Sequence, residues 1–137
     1  MMYEKFEVNQ VFLGMQFASM NDVYEVLKKS CEDFELKSVR VDELANANSI
    51  IDDIKSLIEQ SEFIIIDLTH SNPNVYYELG YVDGVGNEGK DILLLAQEGT
   101  KLFFNISHRR VLFYKDVYDL QEKLKTALPK LKMDGRK

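Results

Sequence analysis

Three carboxylates carry the chemistry this chain could do: Glu78, Asp67 and Asp53. Glu78 lies in the stretch FIIIDLTHSNPNVYYELGYVDGVG (residues 63–86), downstream of Asp67, which ends an apolar run. Asp53 stands earlier, in IIDDIKSLIEQ. A side-chain carboxylate can act as a covalent nucleophile, balance a developing positive charge or move a proton, according to whether its surroundings keep it ionised. A position near a helix N-terminus favours the ionised form. Asn72 and Pro73 mark such a start. Asn caps the orphan N–H groups of a first turn, and Pro at the first helical position lacks an N–H that would be unpaired anyway. Glu78 is therefore expected near the first turns of a helix, ionised. The alternative for it is a solvated helix residue. Asp67 reads either as a ligand-facing group or as the carboxylate that ties down the loop after its strand. Asp53 reads as a flanking residue able to reach a cleft.

The elements that position these groups follow from apolar patterning. The run Phe63-Ile64-Ile65-Ile66 is a buried-strand signal. In the helix after it, Val75, Leu79 and Val82 make an apolar face, with Glu78 placed on a different face beside Asn74 and Tyr81. Gly80 and Gly84, four apart, suggest close backbone approach to the sheet or a ligand. Upstream, strand one is expected over 10–15, and Ser19-Met20-Asn21-Asp22 reads as a capping box opening helix one. Val23, Leu27, Cys31 and Phe34 give that helix its buried stripe, which makes Cys31 a core residue. Strand two is expected over 36–41 and helix two over 49–60. A turn follows at 87–90, then strand four over 92–96. An irregular segment over 97–107 is packed down by Leu102, Phe103 and Phe104. Strand five spans 110–114, and a last helix starts near Asp116 and uses Leu120, Leu124, Leu128 and Leu131. The tail from about 133 reads as frayed.

Strands alternating with helices imply an α/β sandwich of flavodoxin or Rossmann-like type: a five-stranded, mostly parallel sheet of order 2-1-3-4-5 with helices on both faces. Its topological switch point falls between strands one and three, where open sheets bind ligands beyond the strand C-termini. The candidate ligand-binding residues there are Gly14, Met15 and Phe17 on one side and Asn72, Asn74 and Tyr81 on the other. Arg40 or Asp42 could border the crevice. His70 reads as a solvent-facing loop residue, and His108, Arg109 and Arg110 as a surface charge group or a phosphate clamp.

The block NPNVYYELGY after a strand ending in DLT resembles the signature of the nucleoside 2-deoxyribosyltransferase-like group. That group includes deoxyribosyltransferases, 2'-deoxynucleoside 5'-phosphate N-hydrolases and small TIR-like nucleotide proteins. VFLGMQF, VRVDE, IIDDIKSLIEQSEFIIIDL and NISHRRVLFY extend the resemblance over about residues 11–114. It implies cleavage of an N-glycosidic bond in a nucleoside, nucleotide or NAD, with Glu78 as nucleophile or stabiliser of an oxocarbenium-like sugar. The alternative it implies is a non-catalytic module that binds a nucleotide signal in a signalling or phage-defence system; a homodimer or higher oligomer is implied as well. The match departs at three places. Asn72 replaces an Asp that the transferases carry six residues before the glutamate, and Asn is neither acid nor base. Met15, Gln16 and Phe17 stand where the nucleotide hydrolases hold phosphate. The helix-two Asp of the group falls nearest Ile54, beside Asp53.

Composition sets the outer bounds. At 137 residues the chain is long enough for one domain with a single core, residues 1–137. A net charge of −6 disfavours a nucleic-acid polymer but leaves room for a small nucleotide. One cysteine excludes an intrachain disulfide, and with two distant histidines gives no metal-ligand spacing. No metal or cofactor is expected. No membrane-length apolar run is visible, so a cytoplasmic location is expected.

Overall fold

The apolar runs become adjacent parallel strands. The structure, a computed structural model, describes residues 6–16, 18–40, 50–84, 92–103 and 110–136, and of residues 50–53 only the backbone. Its elements are β1 (Glu7–Gly14), α1 (Asn21–Asp33), β2 (Lys37–Val39), α2 (Ile50–Gln60), β3 (Ser61–Asp67), a 3-10 turn (Thr69–Ser71), α3 (Pro73–Gly84), β4 (Ile92–Gln97), β5 (Leu112–Tyr114) and α4 (Val117–Gly135). The sheet order is β2-β1-β3-β4-β5, and all four pairings are parallel. This is the order the sequence implies, with β1 and β3 paired at the switch point, Gly14 opposite Ile66.

Side chains alternate across a strand, and here the alternation divides the core in two. Val11, Leu13, Met15, Phe63, Ile65, Leu95 and Tyr114 face α1 and α4. Phe12, Ile64, Ile66, Leu94 and Ala96 face α2 and α3. On α1, Val23, Leu27 and Cys31 are buried. Burial pushes the Cys31 thiol up to about 12, so it is an inert core residue.

Several local expectations are corrected. The capping box at Ser19 does not form: the helix N-cap is Met20, without a side-chain cap bond. Ser19 lies in the left-handed region at φ 63°, not the extended backbone a capping residue needs, and its hydroxyl accepts from Gln16 Nε2 instead. The tail is not frayed from 133. Helix α4 runs to Gly135, and Arg136 binds Glu62 through Nε at 2.8 Å and Nη2 at 2.9 Å, with Nη2 also on Asn9 Oδ1 at 2.6 Å. Asp116 caps α4 by accepting from Asp119 N–H. The turn at 87–90, Ser49 and Phe104 lie outside the described residues.

Candidate functional site

Helix α3 starts where the sequence places it. Asn72 Oδ1 accepts from Asn74 N–H at 2.8 Å, the bond an N-cap makes to the second helical residue. Its carbonyl accepts from Val75 and Tyr76. From that start, Val75, Glu78, Leu79 and Val82 are the buried positions. Glu78 therefore belongs to the buried stripe rather than to a separate face. It is three residues after Val75 and four before Val82, spacings that stack on one side of a helix.

Glu78 is 5% exposed, and its Oε1 is buried without a hydrogen-bond partner among the described residues. What makes room for it is Gly14. A Cβ at Gly14 would stand 2.7 Å from Glu78 Oε1 and 3.2 Å from both Ile66 Cγ1 and Phe12 Cε2. The glycine that admits close approach is thus on the sheet. Gly80 and Gly84, the pair singled out on α3, face open space. The expected ionisation is also reversed: burial pushes the Glu78 carboxyl from 4.5 up to about 8. The helix dipole acts over the first turn, and Glu78 lies beyond it.

Asp67 does not join Glu78. It continues the Phe63–Ile65 side of β3, towards α1 and α4, while Glu78 lies against the opposite face at Gly14. Its carboxylate accepts from Thr69 N–H at 2.8 Å and from the Tyr114 hydroxyl at 2.6 Å. Burial raises its pKa, and the bonds from Thr69 and Tyr114 pull the other way. Tyr114 is in turn raised by burial and by the Asp67 charge, so the proton stays on the phenol. Asp67 is the loop-tying carboxylate of the two readings. Tyr114→Phe is expected to cost about 1–3 kcal/mol by stranding a buried carboxylate oxygen, read as a lower urea midpoint with the slope unchanged.

The other candidates separate as follows. Met15 is 2% exposed and packs in the α1/α4 core, so it does not line a ligand site; alternation from Val11 and Leu13 sends it there. Tyr81 turns to α2, donating its hydroxyl to Glu59 and lying under Lys55 Nζ, 5.5 Å from the ring centroid. Asn74 is exposed. Arg40 is buried over the Tyr24 ring, 3.7 Å from its centroid. Phe17, the Asp53 side chain, Asp42, His108 and Arg109 lie outside the described residues. Gly14, Asn72 and Glu78 remain. To them the structure adds Gln16, whose Oε1 accepts from Asn72 Nδ2 at 3.3 Å and whose Nε2 donates to Ala18 O and Ser19 Oγ. The sequence signal for Gln16 was its place in the loop after the β1 glycine, where the resembled nucleotide hydrolases hold phosphate. Among the described residues no group of His, Cys, Asp or Glu could hold a metal ion.

A second feature was missed entirely. A groove of about 720 Å³ lies between the 3-10 turn and residues 97–103. His70 (φ 69°) and Ser71 (φ 49°) there are both left-handed, a conformation uncommon outside glycine.

The fold defines a flavodoxin-like α/β class. Solved structures of that shape include a CMP N-glycosidase, BcmB, from Clostridium botulinum, with a TM-score of 0.67 at 17% identity, covering 86% of this chain and 98% of that one. A flavo-di-iron protein from Thermotoga maritima matches at 0.63 and 16% identity over 96% of this chain but only 37% of its own. A prokaryotic SEFIR domain matches at 0.57 and 10% identity, covering 89% and 90%. Identities this low describe a shared fold alone. No protein-family model and no curated protein matches the chain. No helix among the described residues is long and apolar enough to cross a membrane.

Proposed function

We propose that the protein cleaves the N-glycosidic bond of a nucleoside, nucleotide or NAD, with Glu78 as nucleophile or oxocarbenium stabiliser. The observation that carries this reading is Glu78 Oε1, buried without a partner among the described residues and held at a glycine on the β1/β3 switch point. A buried polar atom left unpaired is costly, and sites that react or bind are where such atoms persist. The resemblance of NPNVYYELGY to nucleoside 2-deoxyribosyltransferase-like proteins supports it, as does the shape shared with a CMP N-glycosidase. The chain acts as one unit, in a cytoplasmic homodimer or higher oligomer.

In this reading the C1'–N bond breaks with its electron pair leaving on the base. The sugar carbon becomes cationic against Oε1 and bonds to the oxygen of a water molecule, whose proton goes to the departing base, or to solvent where the base leaves neutral. In the free protein Glu78 is protonated at neutral pH, because burial raises its pKa to about 8. A positive charge developing beside it favours the carboxylate and offsets the desolvation. If the ionised form of the free protein reacts, kcat/KM rises with pH and levels off above about 8.

The protonated carboxyl also favours a second reading: a binding module in which neutral Glu78 donates a hydrogen bond to a nucleotide-derived signal. Binding would then weaken as pH rises through the same range. The test is release of free base from NAD, ribonucleosides, deoxyribonucleosides and their monophosphates, followed by chromatography beside Glu78→Gln. Release by the wild type alone, rising with pH, supports cleavage. No release from any of them, with binding lost at high pH, sinks it in favour of the binding module.

A further inference from the structure

The groove beside the 3-10 turn is a separate place from the Glu78 crevice, and its walls are fastened. Gln97 N–H donates to Thr69 Oγ1 at 2.9 Å, Ser71 Oγ donates to Lys101 O at 2.6 Å, and Phe103 N–H donates to the Tyr76 hydroxyl at 3.3 Å. The Tyr76 and Phe103 rings stack with centroids 4.4 Å apart. These ties span the gap between the β3–α3 connection and the segment after β4, so the groove is preformed. Behind it, Asp67 and Tyr114 anchor Thr69. The same anchoring holds His70 and Ser71 left-handed, a conformation that costs of order 1–3 kcal/mol per residue and persists where the surroundings enforce it.

The groups that the groove presents define what fits. Phe103 lines it and keeps 48% of its surface exposed although its ring is stacked on Tyr76. It is a platform fixed on one side and open on another. Lys101 and His70 also line it, and the Lys101 ammonium has no ion-pair partner among the described residues. Among the described residues, Glu98 is the one acidic group lining the groove. A lining that includes the aromatic Phe103, the basic Lys101 and His70 and the hydroxyl-bearing Thr69, Ser71 and Thr100 matches a planar ring carrying an anionic group. The volume, about 720 Å³, falls within the range of small-molecule sites.

We infer that this groove is a second small-molecule site, taking an aromatic anion of nucleoside monophosphate size, with the ring on Phe103 and the anionic group at Lys101 and His70. It lies outside the proposed reaction and does not depend on it.

Adenosine 5'-monophosphate, adenosine and inorganic phosphate are the probes, titrated into the isotopically labelled protein and followed by amide NMR shifts. The nucleotide is expected to move the amides of Thr69, His70 and Ser71 and of residues 98–103. Adenosine and phosphate should each bind about tenfold more weakly or worse. Lys101→Ala and Phe103→Ser, both exposed positions, should each weaken the nucleotide about tenfold while leaving the remaining spectrum intact. Glu78→Gln should leave these shifts unchanged, so loss of base release in that variant does not touch the groove. The inference is overturned by shifts confined to Gly14, Gln16 and α3. It is equally overturned by no shift up to about 10 mM nucleotide, or by Lys101→Ala binding as the wild type does.

Discussion

Glu78→Gln is expected to make the protein more stable at pH 7 to 8, while abolishing any turnover that needs the carboxylate. The sign follows from the direction of the shift. Unfolded, the carboxyl titrates at its ordinary 4.5; folded, burial moves it up to about 8. Below about pH 4.5 both states hold the proton and Glu78 carries no ionisation penalty. As pH rises, the unfolded chain ionises first and gains stability that the folded state lacks. The penalty grows through the window and is complete above about 8. At pH 7 it is on the order of 3 kcal/mol, since each unit of difference is worth about 1.4 kcal/mol. Glutamine fills the same space without a proton to lose. Urea denaturation of both proteins at about pH 4, 7 and 8.5 checks this. The gap between variant and wild type should be small in acid and widen with pH. A gap that stays constant would mean that burial does not govern this carboxyl.

Gly14→Ala is expected to do the opposite, lowering stability by about 1–3 kcal/mol through overpacking and turnover about a hundredfold through misplacement of Glu78. The new methyl would meet Glu78 Oε1 at 2.7 Å, with Ile66 and Phe12 each at 3.2 Å closing the ways aside. Carboxylate oxygens can swing away from a methyl, but Glu78 is buried between sheet and helix, so relief there means leaving its place. Gly80→Ala supplies the control. It adds the same methyl into open space on the exposed side of α3, where alanine is worth roughly 0.5–1 kcal/mol over glycine in a helix. Thermal melts and base-release rates on the two variants should move in contrary directions for stability, with rate lost only at Gly14. Equal effects at both positions would remove the special role of Gly14.

The strands and the sheet order were readable because β1, β3 and β4 carry apolar runs and the crossovers between β1 and β4 carry helical patterns. The start of α3 was readable because Asn72 and Pro73 constrain the same few dihedrals. What escaped depended on which side of an element a residue faces. Counting by twos from Val11 and Leu13 puts Met15 in the core, and counting from Phe63 and Ile65 puts Asp67 beyond reach of Glu78. Both follow from the pleat, but only once the partner helices of each face are known. Glu78 escaped differently: a glutamate breaks an apolar pattern, so its membership in the Val75–Val82 stripe looks like an interruption. The role of Gly14 needed the position of α3 over β1, a long-range fact that no local pattern contains. Ser19, His70 and Ser71 adopt left-handed backbone with ordinary side chains, and composition gives no notice of that.

Arg136 and Asn9 meet across 127 positions of chain, and this bears on the order in which the molecule can be assembled. The β1 and β3 side chains that face α4 gain their cover only when Leu120, Leu124, Leu128 and Leu131 arrive. During synthesis, therefore, one side of the nascent sheet emerges before its lid. Until the last helix clears the ribosome, Val11, Leu13, Phe63 and Ile65 have only α1 to shield them, a state in which chaperones find their binding surface. The clamp of Arg136 on Glu62 and Asn9 ties the end of α4 to β3 and β1.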